Sequence, residues 1–154
     1  MKYIERATRT GRLLIRELET GKILVDKKNI IVQEANYAYL LGLYEAYTTS
    51  PITTLQLGTG GTLDAAGLIP IIPEASQEQL NNYLLTLSTS APAPVSSDTS
   101  ITFSANLLTT QGNGAGISEG ALFTASGVMF NYLTFPAIQK TPSFGINFQW
   151  TIST

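Results

Sequence analysis

The stretch "FGINFQWTIS", residues 144–153, alternates between large apolar residues and small or polar ones without a break. Side chains of a β-strand point to opposite faces in turn, so this period of two gathers the large residues on one face. Burying each of them is favourable by roughly 1.5–3 kcal/mol. The pattern predicts a C-terminal strand in the core of the fold, with these inward residues: Phe144, Ile146, Phe148, Trp150 and Ile152.

The stretches before it also favour strands. "ITFSANL" (101–107) has the same period of two, and "VMFNYLTF" (128–135) is apolar on both faces, with Met129, Leu133 and Phe135 opposite Phe130 and Tyr132. A strand that is apolar on both faces must be covered on both. "RLLIRELETGKILVDKK" (12–28) indicates a hairpin that turns at residues 19–21.

One segment favours a helix. "NIIVQEANYAYLLGLYEAY" (29–47) is rich in Ala and Leu, and Asn29 is a candidate N-cap. After it, "ITTLQLGTGGT" (52–62) indicates a strand that runs into a glycine turn, while "QEQLNNYLLTLS" (77–88) fits either a short helix or a helix-to-strand transition.

Together these patterns predict one domain over residues 1–154, because the chain is long enough for a single core. The predicted fold is mainly β: an antiparallel, jelly-roll-like β-sandwich with one helix in the N-terminal half. Residues 1–28 form a basic hairpin or arm, and residues 29–154 form the helix and the sandwich body.

Composition excludes several kinds of site. The chain has no cysteine and no histidine, so disulfides, thiolate metal sites and histidine-based catalysis are impossible. No calcium-loop pattern occurs, and we predict neither a metal nor a cofactor. The polar N-terminus and the absence of a run of eighteen apolar residues predict a soluble protein that is made in a cytoplasm.

Charge is unevenly distributed. Residues 1–28 carry eight basic residues and four acids, whereas the rest of the chain has Lys140 against seven acids. The body is instead rich in Ser and Thr, which is unusual for a monomer whose surface faces water and suggests that partner chains cover it. The basic segment is either a solvated hairpin or an arm that docks on an acidic partner, with these candidate docking residues: Arg6, Arg9, Arg12, Arg16, Lys22, Lys27 and Lys28.

Catalytic and ligand-binding interpretations are weak. Glu119 is the only charged residue between Asp98 and Lys140, but it has no second carboxylate near it in sequence, as glycoside hydrolysis requires. The turn "LGTGGT" (57–62) lacks the lysine of a phosphate-binding loop. We therefore predict no enzyme, no catalytic residue, no small-molecule substrate and no nucleic-acid or membrane partner. Glycan binding remains an alternative if three aromatic residues are exposed: Tyr83, Tyr132 and Trp150.

Several motifs resemble those of tailed-phage virion structural proteins. The resemblance lies in "NIIV" (29–32), "ITTLQLGTGG" (52–61), "GNGAGISEGALF" (112–123), "MFNYLTFPAIQKT" (129–141) and "INFQWTIS" (146–153). The chain is similar in these motifs to capsid cement or decoration proteins and to tail collar or fibre-attachment proteins. The resemblance implies a non-catalytic homotrimer that binds the major capsid protein on the outside of the head, after synthesis in the host cytoplasm. A tail collar or fibre-attachment protein is the alternative within the same class.

In one place the chain departs from that pattern. Asn131 and Tyr132 stand where an arginine is often found, which leaves Lys140 as the obvious cation for Glu119. A carboxylate in an apolar wall requires a cation or amide donors. We therefore predict that Glu119 is structural and forms a cross-strand ion pair with Lys140.

Overall fold

The computed structural model describes residues 10–32, 50–93, 95 and 98–153. Eight antiparallel strands account for its regular structure, and the described part of the chain contains no helix. The strands are β1 (Thr10–Glu17), β2 (Ile23–Ile31), β3 (Ile52–Gly58), β4 (Tyr83–Ser88), β5 (Ser100–Leu107), β6 (Gly116–Thr124), β7 (Met129–Gln139) and β8 (Ile146–Ser153).

These strands form one continuous sheet in the order β4-β3-β6-β7-β2-β1-β8-β5. The two edge strands nearly meet, because Ser90, just after β4, exchanges two backbone hydrogen bonds with Ser104 of β5. The sheet is therefore nearly closed and barrel-like. The prediction of a mainly β, antiparallel fold is confirmed, but the jelly-roll-like sandwich is wrong.

Strand β2 explains why the sheet is continuous. Its first part pairs with β1, up to Gly11 opposite Asn29, and its last two residues, Ile30 and Ile31, pair with β7. The predicted helix is therefore wrong at its start, where Asn29–Ile31 are extended. Asn29 is not a helix cap: its side-chain oxygen accepts a 3.0 Å hydrogen bond from the Trp150 indole. The rest of the predicted helix, residues 33–47, lies outside the described residues.

The hairpin predicted at residues 19–21 joins β1 to β2, and Gly21 has the positive φ (70°) that this turn requires. It is not an appendage. Strand β1 lies between β2 and β8, and its inward residues Leu13 and Ile15 are fully buried. Residues 10–28 therefore form the hairpin of the prediction, but as two internal strands of the sheet and not as an arm outside it.

The interior of the sheet is apolar. Four of the five predicted core residues at the C-terminus are buried there (Ile146, Phe148, Trp150 and Ile152). Phe144 lies before β8, and its partly buried ring packs against the edge of the core.

A second apolar cluster lies on the other side of β6 and β7, where Leu80 and Val32 pack over Phe123, Met129 and Tyr132. These two strands are therefore buried on both faces, as the sequence of β7 predicts. Met129 belongs to this outer cluster rather than to the face of Leu133 and Phe135. The reason is a register shift of the β6–β7 pair between Leu122 and Phe123, which turns the start of β7 over.

Candidate functional site

Glu119 is an ionisable residue in the apolar interior of the fold, in the middle of β6. It lies opposite Gly58 of β3 and Thr134 of β7, and its side chain is completely buried. The β3–β4 loop, residues 59–82, folds back over this point. A buried carboxylate is costly unless its oxygens are hydrogen-bonded, so the contacts of Glu119 decide what it does.

Four donors converge on this carboxylate. The backbone N–H groups of Gly60 and Asn82 donate to Oε1 at 2.9 and 2.7 Å. The backbone N–H of Asn81 and the hydroxyl of Tyr132 donate to Oε2 at 2.9 and 2.7 Å. A carboxylate offers about four acceptor positions, and here all four are used. No lone pair is left for a substrate or for proton transfer.

The glycines of "LGTGGT" make this approach possible. A Cβ on Gly58 or Gly60 would lie 2.5 or 2.8 Å from Glu119 Oε1, and one on Gly61 would lie 2.0 Å from the Ser118 carbonyl oxygen. Only glycine allows the loop backbone to come this close. The turn does bind an anion, as glycine-rich loops can, but the anion is a carboxylate of its own chain.

Tyr132 completes the cluster from β7. Its ring is fully buried, and its hydroxyl accepts a 3.2 Å hydrogen bond from the Asn81 side chain while it donates to Glu119. Burial, together with the hydrogen bond to the Glu119 carboxylate, raises the pKa of Tyr132 far above its usual value. The tyrosine therefore remains a neutral donor throughout the physiological range.

Lys140 follows β7, and its side chain is 1% exposed. Its ammonium donates to Asn113 Oδ1 at 2.9 Å and to the carbonyl oxygens of Thr141 and Thr109 at 2.8 and 3.4 Å. It also lies 5.5 Å from the centre of the Phe144 ring. Burial lowers the pKa of Lys140, although the negative charge of Glu19 opposes this effect.

The structure does not bring Glu119 and Lys140 together. Among the described residues the single ion pair is that between Arg12 and Asp26. Glu119 pairs with Thr134, whereas Lys140 follows Gln139, which pairs with Gly116 at the start of β6. The predicted ion pair is wrong because several residues along the strands separate the two groups. Of the two kinds of partner expected for a carboxylate in an apolar wall, a cation or amide donors, Glu119 has amide donors, three backbone N–H groups, together with the Tyr132 hydroxyl.

The predicted docking residues lie on strands rather than on an arm. Arg12 points outward from β1 and forms a bidentate ion pair with Asp26 of β2. Its Nε donates to Oδ1 at 2.7 Å and its Nη2 donates to Oδ2 at 2.6 Å. Lys28 is exposed opposite Arg12, and Arg16 is half-buried. Lys22 is exposed at the turn, and the Lys27 ammonium donates to the Thr134 carbonyl oxygen at 3.1 Å. Arg6 and Arg9 lie outside the described residues.

The aromatic residues considered for sugar stacking do not form a common surface. Tyr132 and Trp150 are buried in two different clusters, and Tyr83 alone of the three is exposed. A stacking platform needs aromatic faces that a ligand can reach, so these three residues do not supply one.

The sequence analysis identified none of the four partners of Glu119: Gly60, Asn81, Asn82 and Tyr132. For Tyr132 a signal was present, because it lies on a strand that is apolar on both faces and a buried tyrosine hydroxyl usually has a hydrogen-bond partner. For the two asparagines there was none, since their backbone N–H groups bind the carboxylate and a backbone group has no sequence signature.

Comparison of the chain with protein families, curated proteins and solved structures finds no match. Across the described ranges, no helix is long and apolar enough to cross a membrane.

Proposed function

We propose that this chain is a structural component of a phage virion, a capsid cement protein that assembles with copies of itself and binds the major capsid protein on the outside of the head. The proposal starts from the motif resemblance described above. One structural observation supports it best: the buried carboxylate fixes a loop that displays large aliphatic side chains to solvent.

The β3–β4 loop has the exposed apolar side chains that are typical of a protein interaction surface. Four of its aliphatic residues (Leu63, Leu68, Ile69 and Ile72) are between 55% and 85% exposed. These four side chains belong to one short stretch, residues 63–72, and a local concentration of exposed apolar side chains is typical of a protein interaction site. Glu119 uses three of its four acceptor positions to hold the two ends of the loop and the fourth to bind Tyr132 of β7. Its charge therefore supports the arrangement of this surface.

The outer face of β8 and β5 supports the same interpretation. It carries polar but uncharged side chains that bond to each other across the strands: Thr102 to Thr151 at 2.8 Å, and Asn147 to Asn106 at 2.7 Å. Such a surface loses little on dehydration, because its groups already have partners. It suits the wide, partly hydrated contacts of a protein that stabilises a shell through many copies.

The mechanism is added contact area. Each copy would bridge neighbouring capsid subunits, and the many copies would act together because the shell presents their binding sites at fixed spacing. The basic residues of β1 and β2 contribute as part of a rigid sheet face and not as a flexible arm.

The test is the number of copies per particle, measured by quantitative mass spectrometry of purified virions against the major capsid protein. A cement protein is present in a fixed ratio to the capsid subunits. A ratio set by the symmetry of the tail would move the assignment to a collar or fibre-attachment protein. Absence from the particle would refute the proposal.

A further inference from the structure

The β3–β4 loop is fixed in a single arrangement by its own hydrogen bonds. Asp64 Oδ1 accepts from the backbone N–H groups of Leu68 and Ile69 at 2.8 and 2.9 Å. These two bonds lower the pKa of Asp64, Ile69 contributing more. The Gly67 carbonyl accepts from Ala137 N–H of β7 at 2.7 Å, which ties the loop to the sheet. The loop is therefore ordered before any partner arrives, and binding would cost little conformational entropy.

This loop is acidic as well as apolar. Besides the exposed aliphatic residues it carries three acids, Asp64, Glu74 and Glu78, and no lysine or arginine. Glu74 and Glu78 are exposed, and among the described residues neither forms an ion pair within the chain. A partner for this loop should therefore offer cations around an apolar centre.

The same chain has such a surface on the outer side of the β1–β2 hairpin. There Arg12, Arg16 and Lys28 surround the half-buried Leu14, and Ile23 lies opposite Arg16 and is 56% exposed. We call these five residues the hairpin face. Asp26 lies beside this face, opposite Leu14, and is already bound to Arg12, so the three cations of the face leave a net positive charge.

Within one copy the described residues show no hydrogen bond and no ion pair between the loop and the hairpin face, although both lie near Thr134 of β7, which bonds Ile71 of the loop and Lys27 of β2. The loop lies against β6 and β7, to which it is hydrogen-bonded through Glu119 and Ala137. Strand β1, which bears Arg12 and Arg16, is separated from β7 by β2 in the closed order of the sheet. Because the loop is held against β6 and β7 by its own hydrogen bonds, a contact between the two surfaces would join two copies.

We propose that the β3–β4 loop of one copy docks on the hairpin face of the next, with its aliphatic residues over Leu14 and Ile23 and its glutamates beside Arg12, Arg16 and Lys28. This inference rests on the proposed function in that it requires a chain that assembles with itself. The contact joins two different surfaces, so it is head-to-tail, and a closed ring forms if the rotation between copies closes.

Charge reversal on each side, alone and combined, tests the contact. The variants are Lys28→Glu, the double variant Glu74→Lys with Glu78→Lys, and the combination of all three. Self-association is measured by sedimentation equilibrium over a range of concentrations, at low salt and at high salt. The matched control is Asp98→Lys, which reverses an exposed acid outside the loop. Thermal unfolding of every variant checks that the fold is intact.

Either single-side reversal should weaken self-association by about tenfold or more, because like charges then face each other. The combined variant should regain most of the loss, and the control should behave like the wild type. Salt should weaken the wild-type contact, since charges at the rim of an interface are screened within about 10 Å at 0.1 M. Ile72→Ser should weaken association at both salt concentrations, because it removes apolar contact.

Two results would overturn the contact and leave the proposed binding to the capsid standing. One is an oligomer that persists unchanged in all variants. The other is a wild-type monomer that still binds particles, which would assign the hairpin face to an acidic surface of the shell. A wild-type monomer that binds no particles would overturn the contact and the proposed function together.

Discussion

Replacing Glu119 with glutamine tests whether this carboxylate is a structural group. Glutamine keeps the shape of the side chain but exchanges one acceptor oxygen for an NH2 donor. If the NH2 took the place of Oε1, it would face two backbone N–H groups, those of Gly60 and Asn82. If it took the place of Oε2, the Tyr132 hydroxyl could rotate to accept from it, and only the Asn81 N–H would lose its partner.

The second orientation is the less costly one, and it sets the magnitude. One buried N–H is left without an acceptor, which costs about 1–3 kcal/mol. The remaining hydrogen bonds change from charge-assisted to neutral, and charge-assisted bonds are roughly twice as strong. We expect Glu119→Gln to lower the free energy of unfolding by about 2–4 kcal/mol, a large part of the 5–15 kcal/mol typical of a domain.

The assay is urea unfolding followed by tryptophan fluorescence, since Trp150 is buried in the core. Tyr132→Phe is the companion variant: it removes one charge-assisted hydrogen bond but leaves the three backbone donors, so it should cost about 1.5–3 kcal/mol. A Glu119→Gln protein as stable as the wild type would refute the structural role and reopen the interpretation of Glu119 as a reactive acid.

Three further predictions follow from the same contacts. Gly61→Ala should destabilise the fold by about 1–3 kcal/mol in the same assay, because its Cβ would collide with the backbone of Ser118. The control is Gly120→Ala, whose Cβ would lie 3.4 Å from Leu57 as its nearest contact and which should be tolerated much better. Equal effects of the two substitutions would contradict the close approach at Gly61. Because the pKa of Tyr132 is raised in the folded state, the unfolded chain releases the tyrosine proton near pH 10 while the folded chain keeps it. The free energy of unfolding of the wild type should therefore fall above pH 10 more steeply than that of Tyr132→Phe. The same dependence on pH in both proteins would count against the buried hydrogen bond. The lowered pKa of Lys140 has the opposite effect on stability, because just below pH 10.5 the unfolded chain binds more protons than the folded chain. The wild type should therefore gain stability relative to Lys140→Met as the pH rises towards 10.5. A constant difference in stability would show that Lys140 is better hydrated than its burial indicates.

The strands could be predicted where the alternation of apolar and polar residues, or a glycine at a turn, determines the local structure. The alternation in residues 146–152 and in 101–107 corresponds to β8 and β5, and the glycine at position 21 corresponds to the β1–β2 turn. These features depend on neighbours in sequence. Where both faces of a strand are apolar, as in β7, the sequence indicated coverage on both sides but not that the chain's own loop provides it.

The errors arose where tertiary contacts outweighed local preference. Asn29 has the chemistry of a helix cap, but Gly11 opposite it leaves room for its side chain to reach the Trp150 indole, and the strand continues. The partner of Glu119 was sought among side-chain charges. The structure satisfies it with three backbone N–H groups and a tyrosine, and backbone donors depend on loop geometry that residue types alone do not encode.

The alternative of a docking arm was wrong for residues 10–28 for a related reason. A high density of charge in residues 1–28 suggested a segment outside the core, yet alternate residues of β1 are apolar and buried. Charge on one face of a strand and burial on the other are compatible, because the two faces are independent.

We propose that this chain is one of many copies on a viral shell, and electron cryomicroscopy of purified particles is the most direct test. Density is expected for the nearly closed eight-stranded sheet on the outside of the head, repeated with the capsid lattice and with the β3–β4 loop in contact with protein. Particles that lack this density, and that contain no copy of the chain by mass spectrometry, would contradict it.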